Sequence, residues 1–521
     1  MMPAVAYTAP PARTPPRHPV LGPGFSGGAG SWLVAFVVFA LAAILGLAFT
    51  LTDPPKVAGA LLLLGFAVYF TWATLKYPVA SLALVILAQV LIPVYVRLPI
   101  PGLPSLPPAL VLLLAMVVLS AITRMIKPVP MVPSPQEKML SIALLIYGLV
   151  LLLSIPNTYA SFGSYAMFVK TVLVPALLYF TVLAKVRTDA QLNVVFHVLL
   201  VAAVACGALA IDEYLTGDNI VATYLAPKVT AEQDYFLWYL VDERKLEILP
   251  RATVYRVFSF FTQPLEYAAF MTMVFPFSAL SLVMAKSLKS KVIYAVATVI
   301  IFVGFAVSFS RGPTLALALV MLVLAIYEKR VRPWILAGTA AILVGLIAVW
   351  PILAEKLTNR LTGSKNVTLR FRLWENGLDT FIEHPLRGIG YGSYPNYHVT
   401  SIREHMIGPM YEYPWRHIER VTTMENIYVT LAAETGILGL AALALYLTVF
   451  FHTFRKVYTN ARDDRSKLLA LSSMAGVLAF LLSGMTVANN VGYTISTLYF
   501  GVFIAAIAIL SRALPARGSK G

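Results

Sequence analysis

Apolar runs of about twenty residues recur along almost the whole chain and are separated by short polar or proline-rich joints. A run of that length crosses roughly 30 Å of hydrocarbon as an α-helix. A transmembrane barrel would show short segments of alternating polarity instead, and the chain lacks that pattern. The sequence therefore predicts an all-α, polytopic integral membrane protein.

The apolar runs predict about fourteen transmembrane helices and two long loops that are not apolar. The predicted spans are residues 31–51, 57–75, 78–96, 106–123, 139–155, 164–184, 190–211, 265–285, 291–309, 312–327, 334–353, 427–451, 468–486 and 491–510. The predicted organisation is an N-terminal tail (1–30), helices 1–7 (31–211), a first long loop (212–264), helices 8–11 (265–353), a large loop (354–426), helices 12–14 (427–510) and a C-terminal tail (511–521).

The distribution of basic residues predicts the orientation. With the N-terminus inside, the inner segments carry 22 Lys and Arg residues and the short outer loops carry 3. This asymmetry follows the positive-inside rule, so we predict that both tails are cytoplasmic and both long loops are periplasmic. The formal charge of +16 is thereby explained by cytoplasmic loops, and no nucleic-acid partner is predicted.

The two long loops hold 16 of the 24 acidic residues and many aromatic ones, so topology alone does not explain them. Loops of this length in a compact protein are usually functional. The segment 231–249 has the pattern of an amphipathic helix at the membrane interface. In the large loop, Phe371, Trp374, Leu378, Phe381 and Ile382 fall at helical spacing and predict a second amphipathic helix, which Pro385 and three glycines end.

Four arginines lie at the outer boundary, where topology does not require them: Arg256, Arg311, Arg370 and Arg372. A guanidinium group binds phosphate through two parallel hydrogen bonds and stays charged in a partly dry site. Arginines that converge on one outer pocket would suit a lipid-linked pyrophosphate. Each also has a simpler explanation, namely contact with lipid headgroups or pairing with a neighbour on its own helix.

Three charged residues lie near the outer side, and the first of them, Glu425, has two interpretations. Glu425 can act as a general base, or it can close a capping box that begins at Thr422. Glu434 and Lys170 lie about two turns inside predicted spans, and intramembrane charges usually face a partner or a cavity.

Metal and cofactor motifs are not apparent. The histidines of the large loop show no metal-ligand spacing, and the single cysteine, Cys206, excludes a disulfide framework. We therefore predict that the protein uses no metal and no cofactor.

Three segments stand out as motifs: SFSRGPTLALALV (308–320), RFRLWENGLDTFIEHPLRGIGYGSY (370–394) and ENIYVTLAAETGILGL (425–440). Together they resemble the motifs of the O-antigen ligase and O-antigen polymerase superfamily, with a weaker match at RVFSFFTQPLEYAAF (256–270). The resemblance covers roughly residues 250–445. It implies a metal-independent glycosyltransferase of the bacterial inner membrane that works on the periplasmic face.

The resemblance also implies the substrates. Such enzymes take a glycan from an undecaprenyl-pyrophosphate carrier and pass it to a lipid A core sugar (ligase) or to another lipid-linked glycan (polymerase). Membrane lipids are further partners, as are chain-length regulator and export proteins of a polysaccharide assembly system. By position, we expect Arg256, Arg311 and Arg372 to hold the pyrophosphate.

One departure from the family favours the polymerase branch. Ligases have His-Asn where predicted span twelve begins, whereas this chain has Glu425 and Asn426. We predict catalytic roles for Arg311, Arg372 and Glu425. The predicted binding residues for pyrophosphate or glycan are Arg256, Arg370, Arg387, Asn426, His398 and Tyr391.

Two alternatives to the polymerase stay open. The first is a ligase that transfers polysaccharide to a lipid A core. The second, from another class, is a flippase for lipid-linked oligosaccharides, which would place its charges along a central cavity. Few charges fall within the predicted spans, and this disfavours the flippase.

Overall fold

A computed structural model describes residues 54–93, 96, 106–126, 133–157, 159–225, 245–249, 252–334, 365–397, 424–461, 463–486 and 495–514. The predicted span 31–51 and nearly all of the predicted span 334–353 lie outside these residues. The chain divides into two compact units, residues 1–81 and residues 82–521.

Long helices dominate the described residues, and short helical segments join several of them. The helices are α1 (Pro54–Lys76), α2 (Pro78–Leu91), α3 (Pro108–Ile126), α4 (Pro135–Ser154), α5 (Phe162–Phe168), a π-helix (Val169–Leu173), α6 (Val174–Lys185), α7 (Asp189–Thr216), α8 (Ile220–Leu225), α9 (Pro264–Met284), α10 (Leu288–Ala306), α11 (Arg311–Tyr327), a 3₁₀ helix (Lys329–Val331), α12 (Lys365–Glu383), α13 (Ile427–Asn460), α14 (Asp464–Ser483), α15 (Ile495–Leu510) and a 3₁₀ helix (Ser511–Ala513).

The all-α, polytopic fold class is confirmed. The described helices overlap twelve of the predicted spans. Eight helices among the described residues are both long and apolar enough to cross a membrane, and shorter apolar helices accompany them. The total number of spans stays a prediction.

Helix boundaries follow local capping chemistry. Ser134, Thr188 and Asp463 each accept a hydrogen bond from a backbone N–H in the first turn of the helix that follows, which satisfies a group with no partner inside the helix. At the other end of α7, Gly217 adopts a φ of 74°, a conformation in which glycine has no steric cost. These polar caps divide a continuously apolar chain into separate helices.

The centre of the second unit is formed by α9 and α14, which pack against each other. Their apolar windows are 72% and 78% buried, whereas those of α4 and α10 are 28% and 22% buried. The first pair is therefore enclosed by protein, and the second pair has the exposed apolar surface expected of helices that face lipid. Where α7 crosses α10, Gly207 and Gly304 bring the two backbones into contact.

The two ends of the second unit can be distinguished by their contacts. We call the lower end the one at which Lys286 and Arg330 both pair with Asp464, at 3.7 Å and 3.5 Å. The upper end is the opposite one, at which α9, α11 and α13 begin and α10 and α14 end.

The prediction of a helix over residues 231–249 is wrong for its last part. Residues 245–249 form strand β1 (Lys245–Leu249), which pairs antiparallel with β2 (Ala252–Tyr255), and residues 231–244 lie outside the described part. Leu246 and Ile248 alternate with charged residues, and β-branched Thr253 and Val254 lie in the opposite strand. This alternation is compatible with a strand, and pairing with residues 252–255 supplies the partner that a strand needs.

The helix predicted in the large loop is present as α12, but only Trp374 and Phe381 of its predicted apolar stripe are partly buried. Phe371 is 60% exposed and Ile382 is 71% exposed. The helix packs against α13 through its other face, where Leu373 and Thr380 are buried and Gly377 lies against Met424. An exposed apolar stripe next to polar residues is the arrangement of a helix that lies at a membrane interface.

An ion pair at the lower end ties the C-terminal segment to the bundle. The Arg512 guanidinium donates to both carboxylate oxygens of Glu137, at 2.7 Å and 3.0 Å, and to the carbonyls of Leu183 and Val186, each at 2.9 Å. Glu137 is only 7% exposed. Its carboxylate would therefore lose its partner in a largely dry position if Arg512 were removed.

We expect Arg512→Ala to destabilise the protein by on the order of 3 kcal/mol, because it leaves a buried carboxylate unpaired. The measurement is the temperature of half-unfolding of the detergent-purified protein. Arg455→Ala is the matched control, since Arg455 is an exposed arginine near the end of α13. Equal unfolding temperatures for the two variants would contradict a structural role for the ion pair.

Candidate active site

Three turns at the upper end hold a non-glycine residue at positive φ. Among the described residues these are Ser259 (54°), Phe309 (50°) and Glu425 (48°), and the structure describes no others. Each lies a few residues before a helix, namely α9, α11 and α13. Each also lies in a sequence motif that carries a candidate arginine or glutamate. Backbone strain of this kind costs on the order of 1–3 kcal/mol and is concentrated at functional sites.

The first two motifs meet through Arg256. Its Nε donates to the Ser308 carbonyl and one terminal nitrogen to the Ser310 hydroxyl, each at 3.4 Å. Ser310 is the N-cap residue of α11, and Arg311 is the first residue of that helix and is exposed. The structure therefore brings Arg256 and the Arg311 turn together, as the sequence predicts.

The third motif meets α12 through an ion pair. The Arg370 guanidinium donates from Nε to a carboxylate oxygen of Glu425, and both side chains are 35% exposed. The pair is thus partly accessible from outside the bundle. Arg372 lies in the same helix, but its side chain lies outside the described part of the chain.

The capping-box interpretation of Glu425 is wrong. The N-cap of α13 is Asn426, whose side-chain oxygen accepts from the backbone N–H groups of Tyr428 and Val429. Glu425 precedes the cap, and its positive φ excludes it from the helix. Its carboxylate is left for Arg370, and the predicted binding residue Asn426 has a structural role at the start of the helix.

The end of α14 connects these two groups of residues. A Cβ on Gly312, next to Arg311, would lie 1.8 Å from the hydroxyl oxygen of Thr486, so the start of α11 touches the residues after α14. Two residues earlier, the Gly484 carbonyl accepts from Ile427 N at 2.9 Å, at the start of α13. The Arg256 and Arg311 turn and the Arg370–Glu425 pair therefore lie at the same end of the bundle.

The upper end is suited to a negatively charged ligand. The N-terminus of α11 lies there, and the first turn of a helix carries partial positive charge and N–H groups without a partner inside the helix. Arg256 and Arg311 add two guanidinium groups. The Ser308 hydroxyl beside them is buried and has no hydrogen-bond partner. Together these groups can stabilise a phosphate or pyrophosphate.

The glycine-rich segment after α12 docks into a break in α13. Gly436 interrupts that helix with φ 61° and ψ −158°. Four backbone hydrogen bonds join the two segments: Ile389 N to Ala433 O, Gly390 N to Glu434 O, Ile437 N to Pro385 O and Leu438 N to Leu386 O. The segment thus fills hydrogen-bonding positions that the broken helix leaves open.

Glycine is required here by contact between backbones. A Cβ on Gly388 would lie 2.3 Å from the Glu434 carbonyl carbon, and one on Gly436 would lie 2.5 Å from the Leu386 oxygen. A Cβ on Gly390 would lie 1.5 Å from the side-chain nitrogen of Asn157, and one on Gly392 would lie 3.0 Å from the Cα of Ser164. The close approach that these glycines allow is therefore an approach to the protein itself.

The N-terminal half of the chain fixes the same segment. Ser154 accepts from Tyr391 N at 3.2 Å, and Ser164 donates to the Gly392 carbonyl at 3.0 Å. Arg387 is exposed and donates to the Leu153 carbonyl at 3.1 Å. Sequence reasoning missed these positions, because serines next to apolar runs carry no distinctive pattern.

Tyr391 points into the bundle. Its hydroxyl lies 2.6 Å from that of Thr171 in the π-helix, and its ring lines an apolar cavity of about 100 Å³ together with Tyr147 and Tyr446. Burial raises the pKa of the Tyr391 phenol well above its usual value, so the phenol does not act as a base at neutral pH. Tyr391 therefore anchors the glycine-rich segment in the bundle.

The remaining candidates have clear positions. Glu434 is 1% exposed, and one of its carboxyl oxygens accepts from Tyr394 N at 3.3 Å, so the predicted intramembrane charge faces the glycine-rich segment. Lys170 lies in the π-helix and is half-buried. His398 lies outside the described residues.

The geometry predicts different outcomes for substitutions at neighbouring positions. Glu425→Gln keeps the size of the side chain but removes its ability to take a proton, so we expect a rate loss of ~10²- to 10⁴-fold. Asn426→Ala removes the cap and is expected to lower stability by about 1 kcal/mol. Rates of glycan transfer and unfolding temperatures of both variants check this. A Gln variant with the full wild-type rate would eliminate Glu425 as the base.

The fold and the site define a polytopic membrane protein with arginines and the N-terminus of α11 at one end. Residues 296–444 match the family model described as O-antigen ligase, Wzy_C. The match covers less than a third of the chain, includes α11, α12 and the first half of α13, and supports a place in the O-antigen ligase and polymerase superfamily. The family supports activity of the ligase or polymerase type on lipid-linked oligosaccharides. No curated protein matches the chain.

Proposed function

We propose that this protein polymerises undecaprenyl-pyrophosphate-linked oligosaccharide repeat units for a surface polysaccharide or exopolysaccharide. It would act at the periplasmic face of the inner membrane, with the upper end of the bundle in the periplasm. The observation that supports this most is the shared position of the Arg256 and Arg311 turn and the Arg370–Glu425 pair at one end of the bundle, within and beside the matched family region.

In the proposed reaction, a hydroxyl of the acceptor glycan attacks the anomeric carbon of the donor sugar. The hydroxyl proton passes to the Glu425 carboxylate, and the new glycosidic bond forms as the bond from carbon to pyrophosphate oxygen breaks. The electron pair leaves with the lipid pyrophosphate. Arg256 and Arg311, with the N-terminus of α11, stabilise the charge that develops there, and this is the term we expect to contribute most.

The roles of the paired residues follow from their surroundings. Arg370 orients the Glu425 carboxylate by an ion pair, so that the second carboxylate oxygen is left for the acceptor hydroxyl. The exposed stripe of α12 is suited to the membrane interface, where a lipid-linked substrate enters. Arg372 stays a proposed pyrophosphate ligand on the same helix.

The test is the set of glycolipids that accumulates in a deletion strain. A polymerase defect leaves single repeat units on the carrier. A second candidate, the ligase, is favoured by the name of the matched family, O-antigen ligase. Loss of a ligase would leave long polymer on the carrier instead. Normal polymer of normal length on the cell surface would contradict both functions.

A further inference from the structure

A buried glutamate of α7 holds the turn that carries Arg256. Glu213 is fully buried, and a single carboxylate oxygen accepts three hydrogen bonds from N–H donors. The donors are the Ser259 backbone N at 2.9 Å, the Phe258 backbone N at 3.3 Å and the Asn219 side-chain nitrogen at 2.9 Å. A buried donor that loses its acceptor is costly, so three donors on one oxygen of this buried side chain restrain the turn firmly.

The surrounding contacts hold the same turn in a strained conformation. Asn219 also donates to the Ser259 carbonyl at 2.8 Å, so one side chain binds both the turn and Glu213. The Ser259 hydroxyl donates to the Cys206 carbonyl at 2.9 Å. Ser259 keeps a φ of 54°, which an L-residue adopts only when its surroundings impose it.

Arg256 lies two residues before Phe258. Its guanidinium reaches the Ser308 and Ser310 positions only at 3.4 Å, so these long hydrogen bonds restrain it weakly. The firm restraint on this segment is the turn at residues 258–259. We infer that Glu213 is a positioning residue, which sets the Arg256 guanidinium for the pyrophosphate of the donor by holding that turn. This inference rests on the proposed function.

The only cysteine of the chain reports on the turn without any assay of activity. Cys206 is buried beneath Ser259, and the wild-type thiol is expected to react slowly with a membrane-permeant maleimide. Glu213→Gln replaces the carboxylate, which accepts three hydrogen bonds, by an amide. This weakens the restraint on the turn at residues 258–259. We expect the thiol to react at least ~10-fold faster in this variant, because opening of the turn exposes it.

A double-mutant cycle then tests the connection to Arg256. We expect Glu213→Gln and Arg256→Ala each to lower the rate of chain extension by ~10- to 100-fold, and the double variant to be no slower than Arg256→Ala alone. Glu328→Gln is the matched control. It removes the charge of another buried glutamate, at the lower end, and its effect should multiply with that of Arg256→Ala.

The outcomes separate the inference from the proposed function. A slow reaction of the Glu213→Gln thiol with maleimide would overturn the positioning role. So would a double variant whose rate loss is the product of the losses of Glu213→Gln and Arg256→Ala. Full activity of Arg256→Ala would overturn the pyrophosphate role of Arg256 in the proposed function, and the thiol reaction would still decide whether Glu213 holds the turn. If Glu213→Gln does not accumulate, Asn219→Ala, which removes the hydrogen bonds to Glu213 and to the Ser259 carbonyl, is expected to show the same faster thiol reaction and the same lack of multiplication with Arg256→Ala.

Discussion

Arg311→Ala will stop chain extension while the lipid-linked single unit accumulates. Arg311 begins α11, is exposed at the upper end and follows the serine that Arg256 contacts. Removal of one group that stabilises the departing charge typically costs ~10²- to 10³-fold in rate. We therefore expect at least ~100-fold less polymer per molecule of inserted protein, measured by gel analysis of the polysaccharide and mass spectrometry of the carrier lipids.

Two further variants make this result specific. Arg311→Lys keeps the charge but loses the planar guanidinium that forms two parallel hydrogen bonds to phosphate. We therefore expect a partial loss of polymer. Arg455→Ala removes an exposed arginine near the other end of α13 and is expected to leave polymer length unchanged. Polymer of normal length from the Arg311→Ala variant, at wild-type abundance, would remove Arg311 from the catalytic machinery.

Gly436→Ala will prevent the glycine-rich segment from docking into α13. The backbone at Gly436 has φ 61° and ψ −158°, and the new Cβ would lie 2.5 Å from the carbonyl carbon and oxygen of Leu386. Both neighbours are backbone atoms and cannot rotate away. We expect destabilisation of about 3 kcal/mol or more and a loss of activity of at least ~100-fold.

The matched control for this prediction is Gly65→Ala. A Cβ at Gly65 meets no atom within 4 Å, and the residue lies inside α1, where alanine favours the helix. Unfolding temperature in detergent and polymer yield are measured for both variants. If Gly436→Ala unfolds at the same temperature as Gly65→Ala, the docked segment does not contribute to the stability of the protein.

Much of the fold could be predicted, because a membrane imposes strong constraints on sequence. An apolar helix must be long enough to cross the hydrocarbon, and α9, α10 and α14 match runs that the sequence displays directly. The helical pattern of α12 was equally visible from its spacing. The short strand β1 could not be predicted in the same way. Its alternation of apolar and charged residues is short, and a helical pattern precedes it in the sequence.

Less of the site could be predicted, because its geometry depends on contacts between distant segments. Thr422 to Glu425 fits a capping box, and the structure is needed to show that Asn426 is the cap and that Glu425 lies outside the helix. The motif arginines could be found because charge at an apolar boundary is conspicuous. The pairing of the glycine-rich segment with the break at Gly436 could not be predicted. Hydrogen bonds between backbone segments far apart in sequence leave no local sequence pattern.

The most direct test of the account is a reconstitution with purified protein and a lipid-pyrophosphate-linked oligosaccharide as the only substrate, followed by mass spectrometry of the products. The account predicts glycans of two or more repeat units on the carrier, with one lipid pyrophosphate released for each new bond. Two results would contradict the account. In the first, the substrate stays unchanged, even when a lipid A core acceptor is also present. In the second, the substrate crosses a vesicle membrane without being consumed.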